Sequence, residues 1–450
     1  MAIGAFGNGW GGDAYGGKKQ ASNSNDLSKR TASMVLFVDM NSFFASCEQQ
    51  VNYYLRGRPI CVCVYTGRNG CVIAPSIEAK RRGIKLGMRL NEAVAICPEL
   101  IPLETHPKRY REFHVRIVNV LKKYSNDVIP KSIDEAVVNL HSFSLIYKDA
   151  VEVAKQIKAD IRNEVGDYLK CSIGVAPNSF LAKLASDIQK PDGLTVITPE
   201  NIDEVLGKLQ LTDLPGISTG MERRLNNGGI LTPVQLRHTD PQILKLVCRS
   251  VVGLHWHYRL NFGEVDMATD DYKSMSAMRH LSAEQRKSTD EINEMLLSLC
   301  LRLEQRMVRR ELFCKHIHFS VKYTTGASFS DDVRSSVPIQ GGIEIINIIR
   351  QRIAQFEATH TNEKVINHSV SAVCVVITDF IHEQLIQYTL FENYSKNDRL
   401  RKTMYSLKDR FGQDKLMRAT ELRDHTVLQD VIGFGSIKDL DERDLFDDEM

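Results

Sequence analysis

Two apolar runs that each meet a carboxylate constrain the fold of this chain most strongly. Residues 34–38 form an apolar, strand-like run that stops at Asp39. Asp134 and Glu135 stand immediately before a second strand-like run, 136–140. A carboxylate buried at the end of a strand costs free energy unless a cation or a hydrogen-bond donor meets it. The pattern therefore predicts a polar site at the ends of two buried strands.

Three carboxylates from two such strands form a hard-oxygen site of the kind that suits Mg²⁺. Two such ions, about 3.5–4 Å apart, are the usual catalysts of nucleotidyl transfer. Each acidic string also has an ordinary alternative. An Asp after a strand is often a turn or cap residue, and an Asp-Glu pair is often solvated surface.

The bulk composition is that of a globular protein, with 43% hydrophobic and 25% charged residues in 450. A chain of this length is expected to form about two to four domains. No apolar run reaches the roughly 20 residues of a membrane span, and the N-terminus lacks the apolar segment of a secretory signal. The ten cysteines include no C-x-x-C pair, which favours reduced thiols and a cytoplasmic location over disulfides or zinc.

The net charge of +2 averages two unlike regions. Residues 437–450 carry seven acidic and two basic side chains, and residues 78–124 carry eleven Lys or Arg against five Glu. A basic body with an acidic tail fits a polyanionic partner. Solvated helix faces would explain the same charges equally well.

Residues 34–200 show a mixed α/β pattern, and a second α/β unit follows later in the chain. Around residues 203–260 the pattern instead predicts short helices with small-residue turns. In the second unit, helices at 288–310 and 340–357 and strands at 316–323 and 369–378 favour a four-stranded sheet backed by two helices. The first unit is predicted to contain strands at 34–38, 59–65, 71–74, 136–140, 171–175 and 194–197 and helices at 42–51, 76–82, 91–97, 107–124, 149–165 and 178–189.

The turn at 214–218 precedes a helix-like run, 219–225. A glycine turn between helices is a pattern by which backbone N–H groups bind nucleic-acid phosphates, so Gly216 and Ser218 are candidate DNA contacts. A plain helix–turn–helix hairpin is the alternative. Ser218 also stands where a second glycine would strengthen the pattern.

Five motifs follow one another along the chain: FVDMNSFFASCE (37–48), GCVIA (70–74), SIDEA (132–136), SIGVA (172–176) and LAKLA (181–185). In this order they resemble the motifs of the Y-family translesion DNA polymerases, and most closely those of the UmuC-like branch. The resemblance covers roughly residues 34 to 420.

The resemblance implies a multidomain α/β (α+β) fold shaped like a right hand. It implies a palm, small fingers, a helical thumb with a helix-hairpin-helix, and a little-finger domain. The corresponding segments are the palm (34–200) with fingers inserted at about 52–110, the thumb (201–265) and the little finger (274–391). Composition adds a disordered Gly-rich leader (1–33), a polar linker (266–273) and a C-terminal extension with an acidic tail (392–450).

The resemblance also implies the roles of the catalytic residues. Asp39 and Asp134 would bridge two Mg²⁺ ions, and the Met40 carbonyl would complete the nucleotide-side ion. Glu135 would bind the ion that lowers the pKa of the primer 3′-OH. That hydroxyl would attack the α-phosphate of a deoxynucleoside triphosphate, and pyrophosphate would leave.

Four further residues match nucleotide-binding positions of the family. Phe44 matches the steric gate, a ring that leaves no room for a ribose 2′-OH, although simple core packing is its alternative. Phe43 would pack inward or line the pocket floor, and Ala74 would lie beside the nucleotide. Lys183 matches a lysine that reaches the triphosphate, with a solvated helix lysine as the alternative.

The two positions that bind the triphosphate in many family members differ in this chain. Ile77 and Lys80 stand where many members have a Tyr and an Arg. Lys80 can act as a point charge but not as a bidentate fork, and Ile77 cannot donate a hydrogen bond. Arg68 or Arg82 are candidates to compensate.

Residues 387–391 resemble the Gln-x-x-Leu-Phe peptide that docks bacterial polymerases on the sliding clamp. Gln387 would hydrogen-bond at the pocket rim, while Leu390 and Phe391 would fill an apolar pocket. An edge-strand terminus is the alternative for this short motif.

The sequence as a whole predicts a low-fidelity DNA-templated DNA polymerase that copies damaged template in an SOS-type response. Its partners would be primer–template DNA, dNTPs and the sliding clamp, with no membrane. A UmuD-like subunit and a recombinase filament remain open as further partners. The rivals are a nucleotidyl cyclase, which has no duplex to hold, and a non-catalytic DNA-binding accessory protein, which would not need the three carboxylates.

Overall fold

The computed structural model describes residues 34–67, 70–143, 149–265, 272–360, 364–386, 394–412, 415–416 and 418. The predictions for the leader, for most of the linker and for the acidic tail fall outside these residues. The described residues form two compact units. One is drawn from residues up to 60, 74–84 and 116–266, and the other from 61–73, 85–115 and 267 onward. These units do not separate palm, fingers and thumb, whose limits remain predictions.

The first two hundred residues contain most of the predicted strands and helices, together with two short strands, β4 and β5, that were not predicted. The strands are β1 (Val35–Met40), β2 (Ile60–Cys63), β3 (Val72–Pro75), β4 (Ile101–Glu104), β5 (Val128–Pro130), β6 (Glu135–Asn139), β7 (Cys171–Ala176) and β8 (Leu194–Val196). The helices are α1 (Phe43–Val51), α2 (Ile77–Arg81), α3 (Leu90–Ile96), α4 (Pro107–Lys122), α5 (Ala150–Asp160) and α6 (Ser179–Ile188).

Strand β1 lies at the centre of a five-stranded sheet with the order β5-β6-β1-β7-β8. Both of its neighbours run antiparallel to it, and only the β7–β8 pair is parallel. All six residues of β1 are buried, which explains why its sequence is continuously apolar rather than alternating. Its odd-numbered residues Val35 and Phe37 share a core with helix α6.

Helix α6 lies unusually close to β7 at Gly174. A Cβ atom built on Gly174 would lie 1.9 Å from the Ala182 carbonyl oxygen and 2.5 Å from the Ser186 nitrogen. Only a residue without a side chain permits this approach. The glycine of the SIGVA motif therefore sets the distance between the sheet and the helix that carries Lys183.

Short helices follow in the region predicted to be helical. They are α7 (Ile202–Leu206), α8 (Thr219–Asn227), α9 (Pro233–His238), α10 (Pro241–Cys248) and α11 (Val252–Leu260). Helices α9 and α10 each begin with Pro at the first position and with a side-chain cap, from Thr232 and Asp240 respectively. Their small apolar faces pack around the buried Trp256.

The second unit contains a four-stranded antiparallel sheet with the order β11-β10-β12-β9. One face packs against two long helices in a single apolar core, so the predicted four-stranded sheet with two helices is confirmed. Its elements are β9 (Ser274–His280), α12 (Thr289–Arg309), β10 (Leu312–Tyr323), β11 (Ser328–Ile339), α13 (Gly342–Thr359), β12 (Val370–His382) and α14 (Tyr394–Phe411).

All ten cysteines are free thiols, as predicted from their spacing. Within the described part of the chain, no helix combines the length and apolarity that a membrane crossing requires.

Replacing Gly174 by Ala should destabilise the first unit by about 1–3 kcal/mol, because the new methyl group overlaps the α6 backbone. The matched control is Gly220→Ala on helix α8, where a Cβ would have open space. That change should be neutral or slightly stabilising. Denaturant unfolding of both variants checks this, and equal effects would show that the close approach does not limit the packing.

Candidate active site

The register of the central strands brings the predicted carboxylates together. Asp39 of β1 lies directly opposite Glu135 of β6. The Met40 N–H donates to the Asp134 carbonyl oxygen at 2.9 Å, which ties the two acidic strings together through the backbone. Side chains that face each other across an antiparallel pair lie close together, and two like charges there are destabilising. The arrangement therefore requires a positive charge nearby.

Two lysines supply that charge. Lys183 Nζ lies 2.6 Å from Asp39 Oδ2 and 2.6 Å from Glu135 Oε1. Lys190 Nζ lies 2.8 Å from the same Asp39 oxygen. Asp187 contacts both ammonium groups, at 3.3 Å from Lys183 and 2.8 Å from Lys190. The Lys183 ammonium thus bridges the two strands.

The balance of burial and charge differs among the three carboxylates. Burial raises the pKa of Asp39, but the ammonium groups of Lys183 and Lys190 outweigh it and hold that pKa below its usual value. Burial raises the pKa of Asp134, and the negative charge of Asp39 raises it further. The hydrogen bond from Ser132 lowers this pKa but does not outweigh the other two effects. Burial also raises the pKa of Glu135, although Lys183 opposes it. Asp39 is therefore the best-compensated carboxylate.

The same ion pairs raise the pKa values of the two lysines. Burial alone would lower the pKa of Lys183, but Asp39 and Glu135 raise it above its usual value. The pKa of Lys190 is raised for the same reason. Both side chains are therefore fully charged near neutral pH.

The oxygen atoms of the three carboxylates suit a divalent cation, although the Lys183 ammonium now holds two of these carboxylates in place. Across the described ranges, no three His, Cys, Asp or Glu side chains are arranged to hold a metal ion. Carboxylate oxygens from Asp39, Asp134 and Glu135 are nevertheless the ligands that Mg²⁺ prefers. A positive charge already lies between Asp39 and Glu135, so these residues could bind a divalent cation if the Lys183 ammonium moved aside.

The residues that hold the turn around Lys190 were not predicted. The Asn41 side chain donates to Ser172 Oγ at 3.1 Å and accepts from the Asp192 N–H at 2.7 Å. Ser172 in turn donates to the Gln189 carbonyl at 3.0 Å. These buried bonds fix the 189–193 turn against the end of β1. The signal was the polar pair Asn41 and Ser172 within otherwise apolar motifs.

The predicted nucleotide-binding residues occupy several surroundings. Phe43 and Phe44 are both buried, at 3% and 6% exposure, and their ring centroids lie 5.8 Å apart. Ala74 is half-buried in β3. Much of the Lys80 side chain is exposed. Burial of its ammonium and the charge of Lys190 lower the pKa of Lys80, and the charges of Asp39 and Asp134 only partly offset this effect. The structure therefore couples Lys80 electrostatically to the carboxylates.

Two other residues near Lys80 have local structural roles. Ile77 begins α2 behind the Ser76 cap, whose hydroxyl accepts from the Ala79 N–H at 3.2 Å. Arg82 lies at the C-terminal cap of the same helix. Arg68 lies outside the described residues.

The candidate DNA and clamp contacts lie away from the carboxylates in sequence. Gly216 has φ +88°, a conformation that favours glycine, in the turn before α8. Ser218 is the N-cap of α8 but makes no side-chain capping bond. The predicted clamp residues Gln387, Leu390 and Phe391 lie outside the described residues.

Comparison with known proteins identifies the family. Residues 38–187 match the model of the impB/mucB/samB family, and residues 272–390 match the model of that family's C-terminal domain. The chain belongs to the impB/mucB/samB family. The DNA polymerase IV of Pelotomaculum thermopropionicum is 31% identical over 403 residues, which cover 88% of this chain and 97% of that protein. The DNA polymerase IV of Bacillus velezensis is 27% identical over 402 residues, covering 87% and 93% of the two chains.

Solved structures agree on the fold of this family member. A chimera of the Y-family DNA polymerases Dbh and Dpo4 superposes with a TM-score of 0.65 at 24% identity, covering 78% of this chain and 99% of that one. An insertion ternary complex of Dbh DNA polymerase gives a TM-score of 0.54 over the same shares. The predicted membership of the Y-family DNA polymerases, which are DNA-directed DNA polymerases, is confirmed. The UmuC-like branch remains a prediction.

Replacing Lys183 by Met should destabilise the first unit by about 1–3 kcal/mol in chelator-treated buffer, because Asp39 and Glu135 lose their shared counterion. The control is Lys155→Met, whose partner Glu152 is on the surface and whose loss should change little. Thermal unfolding of both variants checks this. A Lys183→Met protein as stable as the control would mean that the bridge does not support the fold.

Proposed function

We propose that this protein extends a DNA primer on a DNA template, including damaged template, by two-metal nucleotidyl transfer in an SOS-type damage response. The observation that carries the proposal is the meeting of Asp39, Asp134 and Glu135 at adjoining strand ends. A non-catalytic DNA-binding protein would gain nothing from three carboxylates, two of which have raised pKa values because of burial.

Asp39, Asp134 and Glu135, with the Met40 carbonyl, would hold two Mg²⁺ ions. When bound, such ions lower the pKa of the primer 3′-OH and neutralise charge on the transferred phosphate. The hard-oxygen chemistry of the donor set supports this assignment. The remaining contribution of the protein is to position the reacting groups and compensate their charge.

Lys183 has two parts in the proposal. Without substrate its ammonium compensates Asp39 and Glu135, from 2.6 Å in each case. When Mg²⁺ compensates these two carboxylates instead, the long Lys183 side chain would be able to turn toward the triphosphate. Lys80 and Lys190 lie in the same electrostatic neighbourhood, because the charge of Lys190 lowers the pKa of both Lys80 and Asp39. Many family members bind the triphosphate with a Tyr and an Arg at positions 77 and 80. Lys80 and Lys190 are the candidates to bind it in this protein.

Phe44 is the proposed steric gate. It lies in the first turn of α1, five residues after the metal-binding Asp39. Phe43 is its neighbour and is equally buried. The assignment therefore depends on the position of Phe44 in the motif, and not on its burial.

DNA and clamp contacts complete the proposed function. The turn that contains Gly216 and Ser218 opens helix α8, whose first N–H groups would bind a phosphate of the duplex. Gln387, Leu390 and Phe391 would dock on the sliding clamp as a short peptide.

An Asp134→Ala/Glu135→Ala double variant should lose at least about a thousandfold in primer extension, because the metal ligands are gone. It should bind primer–template DNA about as well as the unaltered protein. The control is Glu152→Gln, an exposed carboxylate of the same unit. Extension on undamaged and abasic templates with Mg²⁺ and dNTPs provides the measurement, with a gel-shift assay for binding. An unaltered protein that adds no nucleotide would favour the accessory-protein hypothesis.

A Phe44→Ala variant should raise ribonucleotide incorporation by about tenfold or more, because the ring no longer excludes the 2′-OH. The matched control is Phe43→Ala, which should reduce stability without changing sugar preference. Competition between rNTP and dNTP during single-nucleotide extension measures the effect. An unchanged preference in Phe44→Ala, or an equal change in Phe43→Ala, would contradict the gate assignment.

A further inference from the structure

Helix α14 has an inverted pattern of burial. Of the four buried side chains among residues 396–411, three are charged, with Asp398 at 4%, Arg401 at 8% and Lys408 at 8% exposure, and the fourth is Tyr405 at 4%. Its exposed positions include Leu400 at 68% and Phe411 at 58%. A surface helix normally turns its apolar stripe toward the core and its charges toward water. The helix also lies beyond residues 272–390, the part that matches the family's C-terminal domain.

Ionic contacts explain how α14 is held by its polar face. Arg309 of α12 lies 2.7 Å from Asp409, and Arg401 lies 3.4 Å from Glu344 of α13 while also pairing with Asp398 on its own helix. Tyr405 donates to Glu304 of α12 at 3.0 Å. Glu304 is buried at 1% exposure, so these bonds also satisfy a buried charge. The fixed face of α14 therefore leaves its apolar residues turned outward.

The exposed apolar residues form one continuous row, named here the α14 stripe, which consists of Leu400, Met404, Leu407 and Phe411. Their spacings of four, three and four residues place them on one side of the helix. Met404 is half-buried and Leu407 is 39% exposed. A row of this length at the surface is typical of a binding site.

One edge of the α14 stripe is basic. At 100° per residue, Lys396, Arg399 and Arg410 fall along the same flank, and all three are exposed. The Arg410 guanidinium lies 5.4 Å from the centre of the Phe411 ring. The whole helix carries six basic and two acidic side chains. An occupant should therefore combine apolar and acidic residues.

We propose that residues 437–450 of this chain dock on the α14 stripe. This tail interleaves seven acidic side chains with apolar ones. Its charge complements the basic flank, and its apolar residues match the stripe. The apolar residues in question are Ile437, Leu440, Leu445 and Phe446.

The point at which the described chain ends supports this occupant. Arg418 Nη1 lies 3.2 Å from Glu304 Oε2, and Tyr405 binds the other oxygen of the same carboxylate. The chain therefore leaves Arg418 beside the middle of α14. The 18 residues from 419 to 436 can span on the order of 60 Å when extended. Helix α14 is only about 27 Å long, so the tail reaches the whole stripe. The tether also gives the tail a high effective concentration there.

A second copy of the chain is a poorer occupant. Pairing two α14 helices would bring two strongly basic faces together, which is unfavourable. The stripe also spans fewer turns than the three or four heptads of a stable coiled coil.

The test uses the full chain with the photo-crosslinking residue p-benzoylphenylalanine in place of Leu407. Irradiation should give crosslinks to peptides from 437–450 within a single chain, as mapped by mass spectrometry of the monomer band. Substituting Asp444, Asp447, Asp448 and Glu449 by their amides should lower the yield at least about threefold, as should raising the salt concentration. The matched control carries the probe at Leu246, which is 76% exposed on α10, and should give at least about tenfold less crosslinking to the tail.

Crosslinks between two chains, crosslinks only to other segments, no crosslinks, or equal yields from the two probe positions would each overturn the proposal. Amide exchange gives a second measurement that needs no probe residue. Residues 437–450 should exchange more slowly in the unaltered chain than in a Leu400→Ser/Leu407→Ser variant. Equal exchange rates would also overturn the proposal. Neither measurement depends on polymerase activity.

Discussion

The interaction on which the first unit depends is the ammonium bridge across β1 and β6. The register places Asp39 directly opposite Glu135, and Asp39 is buried while Glu135 is half-buried. Two like charges in that position would push the strands apart. Lys183 removes the conflict by bonding to both carboxylates, and Gly174 lets helix α6 come close enough for it to do so. The carboxylate site and the packing of α6 on the sheet are therefore one arrangement.

Much of this could be predicted from the sequence because the signals were local. The apolar run that ends at Asp39 and the acidic pair before 136–140 specified the two central strands. The partners of these carboxylates could not be predicted in the same way. Lys183 was assigned to the triphosphate from its motif, whereas its bonds to Asp39 and Glu135 join residues up to 144 positions apart. The role of Asn41 depends on the packing of the 189–193 turn against β1, which the Pro-Asp-Gly sequence of that turn does not specify.

The second unit shows where local patterns fail. A four-stranded sheet was predicted, but its strands β9 and β11 were not located in the sequence. In β11 most positions are exposed or half-buried, and Ser and Asp residues occupy much of the strand. Its formation depends on pairing with β10 rather than on its own apolar content. In helix α14 the spacing of the apolar residues is misleading, because it indicates that the apolar face is buried, whereas that face is exposed. Ion pairs to α12 and α13 and the Tyr405–Glu304 hydrogen bond hold its polar face inward instead.

The central position of β1 also has a consequence for the order of folding during synthesis. Val35 pairs with Asn139 on one side and with Ala176 on the other. Val35 of strand β1 therefore leaves the ribosome more than a hundred residues before either of these partners. Contacts this distant in sequence slow folding and leave strand edges open to aggregation. A chain interrupted before Ala176 would expose an apolar, half-paired β1, so truncated products of this protein should depend on chaperones or be degraded.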